Sequence, residues 1–494
     1  MTMTKYFMAL DQGTTSSRAI IFDEALKPLA SSAEAYEQHY PQNGYVEHEP
    51  DDLINSTVNS AVAAMAQLGI AGKDIQAIGI TNQRETTLVW DKKTGECIHR
   101  AIVWQCRRTA DICKVLKDEG LEPYVKQATG LIIDPYFSGT KIKWLLDNVP
   151  NARKRAENGE LLFGTVDTYL IWKLSNGKAH VTDYTNASRT MLFNIRTLDW
   201  DDKLLQRLGI PRCMLPKVVP SSGLAATCDH PAFGHAPIPI TGIAGDQQSA
   251  LAGQYCDQYG DMKITYGTGA FLLLNTGDRF IESRNGLLTT LGAGTRPGKP
   301  EYVLEGSVFM AGAIMQWLRD GLGILPDTAQ TSEIAMSVKD TGGVCLVPAF
   351  TGLGAPHWNA QARASLTGMT RATTYREIIR AADEAIAFQC ADLIKAMEQD
   401  MQAAAGCIRV DGGAARDEFL LQFQADMLNH DIERPDYVES TALGAVRLAM
   451  MATGLEAKRG EGSKTFKPNM SEAERTEHLA RWKKALKGVL DAAE

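Results

Sequence analysis

Two segments about half a chain apart share one pattern: an apolar strand, a turn containing Gly and Thr, and a second apolar strand. In the first segment, residues 6–10 lead into Asp11-Gln12-Gly13-Thr14-Thr15 and residues 18–23 return. In the second, residues 263–266 lead into Gly267-Thr268-Gly269 and residues 270–275 return. Each segment is typical of a β-hairpin. Because the pattern recurs, we expect two related halves that face one nucleotide, divided near residue 255.

The turn of the first segment has the chemistry of a polyphosphate site. Gly13 lets the backbone approach a ligand closely, and the hydroxyls of Thr14, Thr15 and Ser16 can donate together with backbone N–H groups. Asp11 can hold a hydrated Mg²⁺ ion. An ordinary polar hairpin turn is the alternative that this segment alone leaves open.

Length and composition exclude several classes of protein. A chain of 494 residues is too long for one core and predicts two or more domains. Apolar and charged fractions of 44% and 22% are typical of a soluble globular protein, and the net charge of −8 with no Lys/Arg run disfavours nucleic acid as a partner. No apolar run has the length of a membrane span. The nine cysteines form no Cys-x-x-Cys pair, which favours neither zinc nor disulfides and predicts a reducing cytoplasm.

Polar side chains follow the ends of two strands in the first half. A buried strand over residues 75–80 is followed closely by Arg84 and Glu85. An adjacent donor and acceptor could grip the hydroxyls of a polyol, although a surface ion pair is an equally good interpretation. Trp104, at the end of the strand that begins at residue 101, could form a wall for the apolar side of a small ligand.

Asp246 is a second carboxylate at a strand end. It follows a strand over residues 236–244 and the flexible Gly245, and it precedes a helix of small residues. This position predicts a general base at the mouth of a cleft. The alternative is a helix N-cap, which is common for Asp.

Near the C-terminus, a strand over residues 407–410 stops at Asp411-Gly412-Gly413, and a helix begins after it. Bare glycine backbone beside a helix N-terminus suits an adenosine or a phosphate. The chain has neither a P-loop motif nor the His-Arg-Asp loop of protein kinases. An enzyme that handles phosphate must therefore use another scaffold.

Seven segments, taken together and in order, resemble the glycerol kinases of the carbohydrate kinase family, whose fold is that of actin, hexokinase and the heat-shock ATPases. They lie at residues 9–18, 79–87, 102–108, 134–141, 245–248, 265–269 and 410–413. Any one of them is weakly specific, but the ordered set is highly specific. The resemblance covers essentially the whole chain.

The resemblance implies an α/β fold of two related actin-like (ribonuclease H-like) ATPase domains with a cleft between them. Residues 1–254 would bind glycerol and phosphate, and residues 255–494 would bind the nucleotide. It implies a cytoplasmic enzyme that uses Mg²⁺ to transfer the γ-phosphate of ATP to a terminal hydroxyl of glycerol. Assembly as a homodimer or homotetramer is the expectation from the family.

The resemblance also assigns roles to individual residues. Glycerol would contact Arg84, Glu85, Trp104, Tyr136, Asp246, Gln247 and Phe271. The nucleotide would contact Thr14, Thr15, Ser16, Arg18, Thr268, Gly312, Gln316, Gly413 and Asp417. Asp246 would be the catalytic base, and Asp11 with Asp246 would hold the metal.

The chain departs from the family pattern at two places. Asp417 stands where some relatives have Asn, and a carboxylate cannot donate to adenine. The loop over residues 229–236 lacks the arginine with which enterobacterial relatives bind an allosteric sugar bisphosphate, so we expect weak or absent control by fructose 1,6-bisphosphate. A kinase of another polyol or a pentulose and a non-enzymatic actin-like ATPase remain alternatives.

Overall fold

The computed structural model describes residues 5–294, 298–437, 439–455, 458–460 and 462–493. The outermost ends of the two expected domains, residues 1–4 and 494, lie outside the described residues. Within the described ranges, no helix has the length and apolar character needed to cross a membrane.

The chain folds into strands and helices that alternate along its whole length. The strands are β1 Tyr6–Gln12, β2 Ser16–Phe22, β3 Pro28–Ala35, β4 Gln38–His39, β5 Glu47–His48, β6 Ile75–Asn82, β7 Leu88–Asp91, β8 Ala101–Ile102, β9 Leu161–Gly164, β10 Val181–Asp183, β11 Phe193–Asn194, β12 Asp199–Trp200, β13 Lys217–Val219, β14 Ser222–Cys228, β15 Ile238–Gly245, β16 Met262–Tyr266, β17 Ala270–Gly277, β18 Leu288–Leu291, β19 Tyr302–Val308, β20 Cys345–Val347, β21 Ser365–Thr367, β22 Ile408–Asp411, β23 Ile432–Pro435 and β24 Ser463–Phe466. The helices are α1 Pro50–Leu68, α2 Ala110–Asp118, α3 Glu122–Thr129, α4 Ser138–Asn148, α5 Ala152–Glu157, α6 Val166–Leu174, α7 Tyr184–Ala187, α8 Asp202–Leu208, α9 Asp246–Gly253, α10 Gly312–Gln316, α11 Thr331–Met336, α12 Tyr375–Met401, α13 Glu418–Leu428, α14 Ser440–Ala452 and α15 Glu472–Asp491.

The first large sheet has the strand order β14-β15-β6-β1-β2-β3. Its strands β1, β2 and β3 form an antiparallel meander, as the first hairpin pattern predicts. Strand β6 then adds in parallel beside β1, and β15 adds in parallel beside β6. The carboxyl ends of β1, β6 and β15 therefore lie along one edge of this sheet.

The second large sheet repeats this plan, in the order β18-β19-β17-β16-β22-β23-β24. Strands β16, β17 and β19 lie antiparallel side by side, β22 adds in parallel beside β16, and β23 adds in parallel beside β22. Both hairpins thus occupy equivalent positions in equivalent sheets. The expected pair of related α/β halves is confirmed.

The two halves pack against each other through helices α9 and α14. Apolar residues of α14 pack against the first sheet, in a cluster that includes Phe7, Ala9 and Ala445. The two helices approach so closely at Gly444 that an added Cβ would lie 1.8 Å from the carbonyl oxygen of Ser249. Each sheet is covered on its other face by helices of its own half. The two strand edges that carry the candidate site residues are thereby held together.

Candidate active site

The candidate active site begins where β1, β6 and β15 end. Asp11 on β1 pairs in register with Thr81 on β6, and Thr81 pairs with Ala244 on β15. Asp246 follows two residues after Ala244 and opens α9. Both sequence-predicted carboxylates therefore lie at the same sheet edge, separated by one strand.

The tip of the first hairpin presents donors that the protein does not use. Gly13 N–H donates to the carbonyl of Ser16 at 2.9 Å, which closes the turn. The N–H groups of Thr14 and Thr15 have no acceptor among the residues that the structure describes. Trp104 Nε1 donates to Thr14 Oγ1 at 3.1 Å, which joins the predicted glycerol wall to the predicted phosphate turn.

The second hairpin tip is braced by the start of α10. Gly312 N–H donates to the Gly267 carbonyl at 3.0 Å, and Ala311 and Ala313 donate to the Thr268 carbonyl at 2.9 and 3.0 Å. Thr268 is exposed, and within the described ranges its own N–H has no acceptor. Gln316, the last residue of α10, is also exposed.

The glycine pair after β22 lies against the second hairpin. Gly412 has a φ of 88°, and a Cβ there would lie 2.3 Å from the carbonyl oxygen of Tyr266. A Cβ at Gly413 would meet no atom of the described residues within 4 Å. The backbone at Gly413 is thus open, whereas Gly412 is required by the close approach of two chain segments.

Asp11 is partly buried and lies between charged groups. Burial raises the pKa of Asp11 to about 7, against the lowering effect of Arg18 and with help from the negative charges of Asp246 and Glu439. Arg18 forms an ion pair with Glu439 of the second half at 2.5 Å. A cation bound nearby would stabilise the ionised form of such a carboxylate.

Asp246 is one-third exposed and is oriented by two donors. Its Oδ1 lies 3.1 Å from Arg84 Nε and accepts the N–H of Gln247 at 2.7 Å. The N-cap position of α9 is Gly245, so the alternative that Asp246 serves as the N-cap is wrong. The remaining carboxylate surface faces outward, where a general base has to be.

Arg84 and Glu85 are buried, at 3% and 1% exposure, so their interpretation as a surface ion pair is wrong. Arg84 donates to both carboxylate oxygens of Glu305 on β19, at 2.6 and 3.0 Å. Burial opposes ionisation of Glu305, but Arg189 and Arg84 outweigh it and lower its pKa to about 2. Glu305 is therefore a fixed counter-ion that the second half supplies to Arg84.

Arg189 completes a buried set of two cations and two anions. Its Nε donates to Glu85 Oε1 at 2.5 Å, and its Nη2 donates to Glu305 Oε1 at 3.0 Å. The guanidinium also lies over the ring of Tyr136, 5.5 Å from the centroid. Sequence reasoning missed both Arg189 and Glu305. A lone charge in the apolar strand β19 was the available signal, because a buried charge needs a partner.

Lys263 is a further buried residue that the sequence analysis did not assign to the site. Its Nζ donates to the side-chain oxygen of Gln247 and to Thr265 Oγ1, the latter at 2.7 Å. Burial lowers the pKa of Lys263 to about 8. The contact fixes the orientation of the Gln247 amide, beside Asp246.

Aromatic rings form the apolar side of the site. Trp104 and Tyr136 meet edge to face, with ring centroids 5.6 Å apart. Phe271 is half-buried on β17, opposite Thr265 of the neighbouring strand. Tyr136 brings aromatic carbon next to the buried charges, since the guanidinium of Arg189 lies 5.5 Å from its ring centroid.

The side chain of Asp417 caps the N-terminus of helix α13. It is the N-cap of α13, and its Oδ1 accepts the N–H of Leu420 at 3.0 Å. Burial raises its pKa, although hydrogen bonds from Leu420 and Ser332 act in the opposite direction. This capping role gives a structural reason for Asp at this position.

The acidic residues fit a magnesium ion that is shared with a substrate. Among the described residues, no cluster of three or more His, Cys, Asp or Glu side chains could hold a metal by itself. Asp11 and Asp246 supply two carboxylates at one sheet edge. Mg²⁺ is commonly bound by one or two carboxylates together with phosphate oxygens and water, so the donor set fits.

Family models match nearly the whole chain. Residues 6–253 match the N-terminal domain of the FGGY family of carbohydrate kinases, and residues 262–453 match its C-terminal domain. The chain belongs to the FGGY family of carbohydrate kinases. The fold of this FGGY kinase is accordingly the two-domain actin-like fold expected from the sequence.

Named relatives of this FGGY kinase are glycerol kinases. Those of Alkaliphilus metalliredigens and Clostridium perfringens are 52% and 53% identical to it, and each alignment covers 98% or more of both chains. The glycerol kinase of Pseudomonas putida is 54% identical over 98% of this chain and 97% of its own length.

Solved structures also resemble this FGGY kinase. The glycerol kinase of Plasmodium falciparum with ADP superposes with a TM-score of 0.93, at 34% identity and over 99% of this chain and 98% of that one. A ligand-bound xylulose kinase from Lactobacillus acidophilus has a TM-score of 0.86 at 22% identity, over 99% of this chain and 97% of that one. At that identity the second match shows the fold alone.

Proposed function

We propose that this chain is a glycerol kinase, which transfers the γ-phosphoryl group of ATP to a terminal hydroxyl of glycerol and yields sn-glycerol 3-phosphate and ADP. The observation that carries the proposal is the position of Asp246. Its carboxylate is one-third exposed and lies 3.1 Å from the buried Arg84. It stands at the sheet edge that also carries Asp11 and the first hairpin tip. Identities above 50% to named glycerol kinases over the whole chain support the choice of substrate.

Glycerol is held between charged groups and aromatic rings. The proposed contacts are Arg84, Glu85, Trp104, Tyr136, Asp246, Gln247 and Phe271. Arg84 can donate to hydroxyls and Glu85 can accept from them, while Trp104 and Tyr136 face the carbon chain. Because Glu305 and Arg189 lock these charges in place, little reorganisation is needed when the small triol binds.

Asp246 acts as the general base. It accepts the proton of the terminal hydroxyl as the oxygen attacks the γ-phosphorus atom, and the bond to the β-phosphate oxygen breaks. Arg84 Nε contacts Oδ1 of this carboxylate, so Oδ2 is the oxygen that we assign to accept the proton. A positioned carboxylate base contributes roughly 10²–10⁴-fold to the rate.

The two hairpin tips hold the triphosphate. The proposed nucleotide contacts are Thr14, Thr15, Ser16, Arg18, Thr268, Gly312, Gln316, Gly413 and Asp417. Free N–H groups on both tips and the open backbone at Gly413 are suited to anionic oxygens and to a nucleoside. Asp11 and Asp246 would hold Mg²⁺, which neutralises charge on the β- and γ-phosphate oxygens when bound. The ADP in the Plasmodium falciparum glycerol kinase supports ATP as the phosphoryl donor.

An assay of ADP release over a panel of polyols tests the proposal. With ATP and Mg²⁺ present, glycerol is expected to stimulate ADP release far more than xylitol or a pentulose does. The product should carry phosphate on a terminal carbon, which phosphorus NMR resolves. Stimulation by a pentulose alone would favour the sibling kinases, and ADP release without any polyol dependence would favour an actin-like ATPase.

Three other properties belong to the same proposal. We place the division between the domains at residues 254 and 255, which is supported by the gap between the matched segments 6–253 and 262–453. The family supports a homodimer or homotetramer, which sedimentation velocity tests. All nine cysteines are free thiols, which supports a cytoplasmic location.

A further inference from the structure

Three side chains donate hydrogen bonds to the carbonyl of Gly13, at the tip of the first hairpin. The Tyr36 hydroxyl donates to it in a short hydrogen bond. Gln12 Nε2 and Gln83 Nε2 also donate to it, at 2.8 and 3.1 Å. We call Gln12, Tyr36 and Gln83 the Gly13 cluster. The sequence analysis and the proposed mechanism give these three side chains no role.

The members of the Gly13 cluster also hold one another. Gln12 Nε2 donates to the Tyr36 hydroxyl oxygen at 2.7 Å, and Gln83 Nε2 lies 3.1 Å from Gln12 Oε1. Gln12 and Gln83 are 0% and 1% exposed. His48 contacts two members of the cluster. Its Nδ1 lies 3.3 Å from Gln83 Nε2, and its ring packs edge to face against that of Tyr36. A network connected in this way restricts the positions of its members.

Fixing this carbonyl also fixes the N–H group of the next residue. In a planar trans peptide, the C=O of Gly13 and the N–H of Thr14 point in opposite directions. The Gly13 cluster takes the C=O, so the N–H of Thr14 points away from the cluster. On the opposite side, Trp104 Nε1 donates to Thr14 Oγ1, which leaves the hydroxyl hydrogen of Thr14 available to donate elsewhere.

We propose that Tyr36 is a positioning residue, which acts through the Gly13 carbonyl to aim the N–H groups of the first hairpin tip at the triphosphate. This inference rests on the proposed function, because it concerns the same nucleotide site. Tyr36 itself does not touch the nucleotide. Its hydroxyl presets the tip before the nucleotide arrives, so binding does not have to order a mobile turn.

The test is Tyr36→Phe, which removes the hydroxyl and keeps the ring that packs on His48. The Kd of the magnesium complex of the non-hydrolysable analogue AMP-PNP is measured by calorimetry without glycerol. Loss of one hydrogen bond to the tip is expected to raise this Kd by roughly 3- to 10-fold. The KM for glycerol should stay within about twofold of the wild-type value. Hydrogen exchange of a peptide spanning residues 10–20 should become faster in the nucleotide-free variant.

Tyr40→Phe is the matched control. Tyr40 is 67% exposed, and its hydroxyl donates to the nearby Gln38 at 3.2 Å. This variant should bind AMP-PNP like the wild type. A second variant, Gln83→Met, removes another donor to the Gly13 carbonyl and should reproduce the selective loss of nucleotide affinity.

Two results would overturn the inference. One is a Tyr36→Phe variant with wild-type AMP-PNP affinity and unchanged exchange at the tip. The other is an equal loss for nucleotide and glycerol together with a lower Tm, which indicates a merely structural role. Wild-type protein that binds AMP-PNP but does not phosphorylate glycerol would instead overturn the proposed function and leave the Tyr36 comparison intact.

Discussion

Glu305 accepts two hydrogen bonds from Arg84, at 2.6 and 3.0 Å, across the boundary between the two halves of the chain. Arg84 follows β6 of the first sheet, whereas Glu305 lies within β19 of the second. Because Arg84 Nε also contacts Asp246, the second half helps to orient the proposed catalytic carboxylate through one guanidinium. The position of the base is thus coupled to the contact between the domains.

Glu305→Gln should weaken both stability and glycerol binding. The substitution leaves two buried guanidiniums, Arg84 and Arg189, with the buried Glu85 and the partly exposed Asp246 as counter-charges. Removing one partner of a buried ion pair costs roughly 3–5 kcal/mol of the free energy of unfolding. Denaturant unfolding measures that loss, and steady-state kinetics should show a higher KM for glycerol with a smaller change for ATP.

The control for Glu305 is Glu472→Gln on the surface. Glu472 is 89% exposed and pairs with Arg475 at 3.2 Å. Because Glu472 is exposed and the buried Arg475 keeps its hydrogen bonds to the carbonyl of Asp426 and to Asn429 Oδ1, stability and kinetics should barely change. Equal effects of the two substitutions would contradict the role of Glu305.

Asp246→Asn should abolish turnover while ATP still binds. The amide keeps the shape of the side chain but cannot accept the hydroxyl proton, so kcat should fall by roughly 10²–10⁴-fold. Calorimetry with AMP-PNP checks nucleotide binding, and the coupled assay checks turnover. Asp118→Asn, at an exposed pair with Lys114, is the matched control. Near-normal turnover in Asp246→Asn would refute the assignment of the base.

The sequence predicted those parts of the site that depend on local pattern. The hairpins at Gly13 and Gly267 and the strand–helix junction at Asp246 each follow from turn residues and strand periodicity within a short segment. The repeat of the hairpin also predicted the two related sheets. These features are local, so one segment carries the whole signal.

The buried charges could not be predicted in the same way. Glu305 and Arg84 are 221 positions apart in the sequence, and the packing of the two halves brings them together. The pattern around Arg84 and Glu85 could not tell an exposed pair from a buried one, because each gains its burial from distant segments. Asp417 shows the same limit, since its capping of α13 depends on where the helix begins.

Lys141 should make stability depend on pH. It is fully buried, and its Nζ donates to the carbonyls of Glu85 and Tyr136. Burial lowers its pKa to about 8, below the usual 10.5. Between these values the folded protein binds fewer protons than the unfolded chain, so stability rises with pH. Below about pH 8 both states are protonated, and the cost of the buried charge is fully present.

The comparison of wild type with Lys141→Met isolates this effect. From pH 7 to pH 9.5, the wild type should gain roughly 2 kcal/mol in the free energy of unfolding relative to the variant. Urea unfolding at several pH values measures the difference. Lys154→Met, at an exposed position, should show no such trend relative to the wild type. Parallel curves for wild type and Lys141→Met would contradict the prediction.

The neighbouring glycines 412 and 413 should respond differently to alanine. Gly412→Ala places a Cβ 2.3 Å from the carbonyl oxygen of Tyr266 at a φ of 88°, so the second hairpin must shift. The strained backbone alone costs roughly 1–3 kcal/mol. We expect a lower free energy of unfolding and, since the hairpin carries Thr268, weaker binding of AMP-PNP.

Gly413→Ala should leave stability within about 0.5 kcal/mol of the wild type, because the added methyl group meets no atom in the part of the chain that the structure describes. If the nucleotide lies against this backbone, the methyl group occupies its place, and the Kd of AMP-PNP should rise roughly tenfold or more. Gly488→Ala, on α15 and also without a neighbour for its Cβ, is the control for both properties. Because Gly413→Ala separates binding from folding, unchanged AMP-PNP affinity in that variant would remove Gly413 from the nucleotide site while leaving the role of Gly412 in place.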